Sequence, residues 1–420
     1  MNLHEQYHLA GSGWSSGCDS GVERLVQPTP EPLGDRRCHH SSLPGVSLPL
    51  KVARIHCGFW SGSWRLPVVA AAWLVLASGL SAAPLPLRVV GNQVLDRAER
   101  PVRLRGVNCA SLEWSDDGDG HMLKTIEVAV TEWRANLIRL PLSQDRWFGR
   151  APKQRDGGTG YRALVRQVVD FCATHNAYVI LDLHWSDAGE WGQNIGQHDL
   201  PDHNSVLFWK DLAAVYRNHP AVLFDLYNEP SNISWDQWFK GGPLTETTGQ
   251  SHVTLTYESV GLPALVAAIR STGAKNVIVA GGINWAYEVS GISNGRGLSD
   301  PTGHGVVYAV HPYPHEYSGL GRETIAQWTA RMEAFARKFP IIVTEFGSHE
   351  ADWPLPKEWN SNDEKWNREM IRVLEEHRWN WTAWDFHPTA APCLISGWSY
   401  APTPEFGVWV RQALQKNAGP

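Results

Sequence analysis

The sequence predicts an α/β chain closed into a (β/α)8 barrel, the TIM-barrel architecture, as a single domain. Three observations carry this. Short apolar runs rich in β-branched residues alternate with amphipathic stretches, which implies a parallel sheet with helical crossovers. Eight such runs recur, the count that closes a barrel. The first run ends in Gly106-Val107-Asn108, not in the Gly-rich phosphate loop that an open doubly wound sheet would usually bring there.

Residues 1–64 show no sustained period and are rich in Gly, Ser, Pro, His and Arg, so they are expected to be disordered or not natively translated. Residues 65–84 have the parts of a secretory signal: the basic flank Arg65-Leu66-Pro67, an uncharged stretch over 68–81, and small residues Ala82-Ala83 before Pro84. The apolar part is shorter than the roughly 20 residues of a membrane span. Signals normally open a chain, and this one lies well inside it. The expectation is therefore a true start downstream of Met1, near Val52, and a secreted or periplasmic protein with no membrane association after cleavage. An uncleaved signal-anchor is the alternative.

Residues 85–420 carry the barrel pattern. Residues 89–95 read as a small hairpin closing one end. The eight runs are 102–108, 135–140, 178–182, 222–226, 277–280, 306–310, 341–344 and 381–384. Amphipathic helices are expected at 161–174, 204–217, 263–272, 324–338 and 363–377, with a last helix at 406–414. Residues 231–251 read as a long Gly/Thr-rich loop after the fourth run, and Pro141 and Pro230 as strand stops, because proline gives no N–H to a ladder.

At 43% hydrophobic and 19% charged, the composition is that of an ordinary globular protein. A net charge of −6 supplies no basic surface for nucleic acid or an anionic membrane. The outlier is Trp, with 22 residues, whose flat apolar faces suit the C–H faces of sugar rings. Cys18, Cys38 and Cys57 lie in the leader; Cys109, Cys172 and Cys393 remain. Three is odd, so at least one is expected as a free thiol, and no Cys/His metal spacing occurs.

Six runs finish in polar or aromatic groups: Arg139, His184-Trp185, Asn228-Glu229, His311-x-Tyr313, Glu345 and Trp384. In a parallel barrel all of these stand at one mouth, where packing alone does not account for them. Glu229 and Glu345 follow the fourth and seventh runs, on opposite sides of that mouth. Paired carboxylates across a cleft are what glycosidic bond cleavage requires, one to protonate the leaving oxygen and one to attack or stabilise the anomeric carbon. An ion pair between Glu345 and Arg139 is expected as well, and it would keep the carboxylate ionised.

These residues, in this order, resemble glycoside hydrolase family 5, the cellulase family of the clan-A retaining barrels, over residues 87–414. The resemblance implies Glu229 as acid/base, Glu345 as nucleophile, and Asn228 as the holder of a sugar 2-hydroxyl. It further implies that Tyr313 bonds Glu345, His311 supports Glu229, Arg139 and His184 fix the nucleophile and sugar, and Trp384 stacks beneath that sugar. Asp182 is expected to be a buried structural partner, and His315 and His387 loop residues. Trp114, Trp185, Trp235, Trp238, Trp285 and Trp398 are candidate sugar subsites. The implied activity is endo-β-1,4-glucanase on cellulose or a related β-glucan, by a monomer needing no metal or organic cofactor. The alternatives are a β-mannanase, xyloglucanase or exo-β-glucosidase on the same machinery, or an inactive carbohydrate-binding barrel.

Because residues 1–83 contain no barrel strand and no site residue, a chain beginning at Pro84 is expected to fold and hydrolyse substrate like the full chain. Circular dichroism and sugar release check this; insoluble or unfolded protein after truncation would contradict it.

Overall fold

The computed structural model describes residues 83–247, 253–314, 323–348 and 363–416. The leader, the signal-like segment and His315 lie outside them. The described strands are β1 (Leu87–Val90), β2 (Gln93–Asp96), β3 (Arg105–Asn108), β4 (Leu137–Ser143), β5 (Tyr178–Trp185), β6 (Val222–Asp225), β7 (Gly241–Thr247), β8 (Thr254–Val260), β9 (Ile278–Gly281), β10 (Val306–Val310), β11 (Ile341–Val343) and β12 (Asn380–Ala383). Eight of them form a closed barrel in the order β10-β11-β12-β3-β4-β5-β6-β9, and every pairing in it is parallel. All eight predicted runs supply a barrel strand. The predicted hairpin is β1–β2, an antiparallel pair with Gly91 at its turn in the left-handed region, at φ 60°.

Strand periodicity separates two environments. In β5, Val179, Leu181 and Leu183 face the helices in the outer core, while Tyr178 and Ile180 face the barrel axis. The axial core also takes Leu137 of β4, Leu223 of β6, Val279 of β9, Val307 of β10 and Ile342 of β11, and the hairpin residues Leu87 and Val94 join it from below. Full burial of each aliphatic side chain is worth about 1.5–3 kcal/mol. Two residues further along, the same axial positions become Arg139, Asp182 and Asp225. The pleat that builds the apolar floor thus aims the polar groups inward above it.

Two expectations are corrected. Pro141 does not end its strand: β4 runs through it to Ser143, paired with β5 at Pro141↔Asp182. On its other side β3 has already ended at Asn108, opposite Arg139, so the missing N–H forfeits no ladder bond. The described part of the stretch 231–251, residues 231–247, is not an irregular loop. It forms a helix, Trp235–Lys240, with a Ser234/Gln237 capping box, and then β7, which pairs with β8 as an antiparallel arm.

Among the glycines of the barrel strands, Gly106 has the least room. A Cβ there would lie 1.6 Å from the Leu137 carbonyl oxygen of the neighbouring strand. Gly106→Ala is expected to cost about 3 kcal/mol, read as a lowered thermal midpoint, because backbone rather than a movable side chain must shift.

Candidate active site

The mouth is organised around Arg139, whose side chain is fully buried. Nη1 donates to Glu345 Oε1 (2.5 Å) and Asn108 Oδ1 (3.2 Å), and Nη2 to Asn228 Oδ1 (2.7 Å). Nη2 also pairs with Asp182 Oδ2 and Nε with Asp225 Oδ2, both at 3.0 Å. One guanidinium therefore faces three carboxylates, and their combined field raises its own pKa despite burial. Burial pushes Asp182 and Asp225 up to about 7 against the pull of Arg139.

Glu345 is held at both oxygens, Oε1 by Arg139 and Oε2 by the Tyr313 hydroxyl at 2.9 Å. Burial raises its pKa, and Arg139, His184 and Tyr313 oppose the rise. Burial and then the charge of Glu345 hold Glu229 well above the usual carboxylate range, with the charge of Arg139 opposing them. Glu229, His311 and Glu345 each place a ligating atom within 4.8 Å of the others. His311 Nδ1 lies 2.7 Å from Glu229 Oε1, and its Nε2 lies 2.8 Å from Thr344 Oγ1. Burial keeps His311 neutral. The network fits a tautomer in which Nδ1–H donates to Glu229 and Thr344 donates to Nε2. With both ring nitrogens engaged and Arg139 on Glu345, these three donors are committed to protons rather than open to a cation.

His184 is also neutral, drawn down to about 3 by burial. Its Nδ1 meets Asp182 Oδ2 at 2.6 Å, and its Nε2 accepts from Asn228 Nδ2 at 3.2 Å. Asn228 is thereby oriented from two sides, with its oxygen on Arg139 and its amide nitrogen on His184 and on Gln197 Oε1 at 3.1 Å.

The family profile of Cellulase (glycosyl hydrolase family 5) matches residues 95–390, more than half the chain. The chain belongs to glycosyl hydrolase family 5. Curated relatives in the family include an endoglucanase of Microbulbifer sp. (strain ALW1), 24% identical over 345 residues, and endoglucanase E-5 of Thermobifida fusca, 24% identical over 346 residues. These alignments cover 79% and 78% of this chain but only 58% and 63% of the relatives, so it spans about three-fifths of their length. Among solved structures, a β-glucanase from Saccharophagus degradans in complex with cellotetraose superposes with a TM-score of 0.61 at 21% identity, covering 79% of this chain and 94% of that one. At that identity the likeness is one of fold.

Around the carboxylates, this family 5 chain builds an aromatic wall. Trp384 follows β12 directly, joined to Asp385 by a cis peptide bond. Its ring stacks on His184, with centroids 5.3 Å apart and planes at 14°, and it clusters with Ala110, Tyr313 and Trp114. At 4% exposure it is more enclosed than a free-standing platform. Half-buried Trp114 sits 6.4 Å from half-buried Trp185 and meets His387 edge-on at 5.5 Å. His387 also meets Trp398 edge-on at 4.9 Å, and Trp398 stacks on His121 at 4.0 Å. His387 lies in a loop, as expected, and is buried there as a member of the wall. Trp238 is removed from the subsite candidates: it is fully buried and donates to the Gly281 carbonyl at 3.0 Å. Trp235 packs on Trp238 at 5.3 Å, over the space a Cβ on Gly291 would need. Trp285 is half-buried and donates its backbone N–H to Pro230 O at 3.0 Å.

Sequence reading gave no role to Asn108, Asp225, Gln197 or Thr344. Asp225 carried a usable signal, since it is a charge inside a buried run, as Asp182 is, and the register pairs the two directly. Gln197 carried none. It lies in an aperiodic connection, and only the fold brings its Nε2 to the Glu229 carbonyl at 3.1 Å.

Replacing Asp225 by Asn should act through Arg139. With one carboxylate fewer, Glu345 takes a larger share of the guanidinium, so its pKa falls and the acid limb of kcat/KM moves to lower pH, by roughly half a pH unit or more. Stability should respond in the same sense. A folded pKa near 7 against 3.8 for the free side chain means that the folded state holds the proton more tightly. That contribution is complete below about pH 4 and is lost as pH rises through 7. Asp225→Asn should flatten the decline between these values, measured by denaturant titration at each pH.

Proposed function

We propose that this family 5 chain is a retaining endo-β-1,4-glucanase that cleaves a β-glucan by double displacement, with Glu345 as nucleophile and Glu229 as acid/base. The observation that carries the reading is the approach of the two carboxylates, with an oxygen of each within 4.8 Å of the other's. Retaining glycosidases hold their carboxyl groups about 5–5.5 Å apart, whereas inverting enzymes leave room for a water between them. The electrostatics divide the roles. Arg139 and Tyr313 favour an ionised Glu345, and that charge together with burial keeps the proton on Glu229.

In the first step a carboxylate oxygen of Glu345 attacks the anomeric carbon, the bond to the leaving oxygen breaks, and Glu229 gives that oxygen its proton. Ionised Glu229 then takes a proton from water as the water attacks the glycosyl ester, which frees Glu345 and returns the β configuration. His311 Nδ1–H donates to Oε1 of Glu229 and orients the carboxyl group that carries the transferred proton. Asn228, fixed by Arg139, His184 and Gln197, is placed to meet the 2-hydroxyl of the reacting sugar. Trp384, Trp114 and Trp185 supply stacking faces along the groove. The endoglucanase relatives and the cellotetraose-bound neighbour favour a β-1,4-glucan as substrate. Secretion of a monomeric enzyme is part of the proposal, and it rests on the signal-like segment.

The two glutamates should fail differently. Glu229→Ala is expected to lower turnover of polysaccharide by roughly 10²–10⁴-fold. It should spare the first step on aryl glycosides, and azide should then yield a β-glycosyl azide. Glu345→Ala should stall on both substrates, with azide giving the α product. The wild-type kcat/KM profile should be a bell, its acid limb set by Glu345 above the ordinary carboxylate range and its basic limb by Glu229 well above it. An α-configured first product by NMR would exclude the retaining assignment. A panel of soluble β-glucans, mannans and xyloglucan with product sizing tests the substrate and the endo action.

A further inference from the structure

At the end of the barrel opposite the glutamates, where the strands begin, lies a cavity of about 810 Å³. Arg103, Arg105, Arg368, Arg372, Arg378 and Lys416 line it, against only two acids, Glu375 and Glu376. In a chain of net charge −6, this concentration of cations runs against the overall balance. The acids are already engaged. Glu375 Oε1 accepts from Arg103 Nη2 and Trp381 Nε1, both at 2.9 Å, and its Oε2 from Arg105 Nη1 at 3.3 Å. Glu376 is bound to Arg372, which also holds Glu369 at 2.7 Å. Among the described residues, Arg378 and Lys416 meet no acid.

A helix end explains part of this pattern. Lys416 is the last residue of helix Gly407–Lys416, where the helix dipole favours cations. The dipole does not explain two buried N–H groups without any acceptor, Arg103 Nη1 and Arg105 Nε. Arg105 is only 8% exposed, and its guanidinium is anchored to the Ala413 carbonyl at 3.0 Å, as that of Arg103 is to the Leu374 carbonyl at 2.9 Å. The forks are therefore set in place rather than free to turn toward water. Burial draws Arg103 down to about 10, and Arg105 and Arg378 push in the same direction against Glu375. Arg103 and Arg105, each already holding Glu375, keep one N–H apiece without an acceptor, and with Arg378 and Lys416 they line one cavity; several fixed cationic donors around one space match an oxyanion, which accepts several charge-assisted bonds at once. The volume lies within the roughly 300–1,000 Å³ of small-molecule sites.

We propose that this cavity binds a small multivalent oxyanion, a phosphate ester or a polycarboxylate, between Arg103, Arg105, Arg378 and Lys416. The site is separate from the carboxylate pair, so it stands or falls independently of the proposed hydrolysis.

The test uses the full chain, titrated with pyrophosphate and with citrate at ionic strength held constant by sodium chloride. Binding is read by calorimetry and by the thermal midpoint. Saturable binding near one anion per chain, with a raised midpoint, is the expected result; the tighter of the two anions tells phosphate from carboxylate. The double variant Arg378→Asn, Lys416→Gln should weaken binding by roughly tenfold or more while leaving sugar release and the anion-free midpoint unchanged. Asn is chosen because residue 378 sits at φ 56°, a region that Asn tolerates. Absence of saturable binding by either anion, or equal binding by the double variant, would overturn the proposal.

Discussion

A single buried guanidinium sets the terms for the mouth of this barrel. Arg139 is enclosed completely, and a charge in that position is tolerable only if it is paired and fully hydrogen-bonded. The barrel meets this need with five residues from four strands: Asn108 from β3, Asp182 from β5, Asp225 and Asn228 from β6 and its extension, and Glu345 from the end of β11. Because the partners come from four strands of the closed sheet, no one contact can shift without disturbing the others. Removal of either kind of partner from a buried ion network typically costs about 3–5 kcal/mol, so the geometry of the two glutamates is tied to the stability of the fold.

The same cation separates the two carboxylates electrically. Arg139 donates directly to Glu345, and both glutamates are buried with their oxygens within 4.8 Å. Two like charges at that distance in a poorly solvated site strongly disfavour double ionisation. The cation decides which group gives up its proton first. The neutral histidines extend this logic, since each is dried out by its surroundings and serves as an orienting hydrogen-bond partner: His184 for Asn228, His311 for Glu229.

Beyond the polar centre, the loops that follow the strands are tied to one another. The arm β7–β8 packs inward on the connection that follows β5, through Glu246 on His198 and Tyr257 on Leu200. That connection in turn reaches the centre through Gln197, and Asp199 accepts from Ser231 at 2.8 Å just beyond Glu229-Pro230.

The alternation of apolar runs and amphipathic helices determined the barrel, because burial on both faces leaves a parallel strand few residue types to use. All eight runs became barrel strands, and Arg139, His184, Asn228, Glu229, His311, Tyr313, Glu345 and Trp384 were legible as polar or aromatic groups at run ends. What the chain order could not reveal was which of these meet. Asp225 reads as one more residue of a buried strand until the register sets it beside Asp182, and Gln197 is an anonymous loop amide until the connection after β5 folds back over Asn228. Trp238 illustrates the same limit from the other side: residue type suggested a sugar face, and packing buried it against the Gly281 carbonyl. Local sequence sets period and residue type, whereas the partner of a buried polar group is chosen by non-local contacts, here 206 residues apart between Arg139 and Glu345.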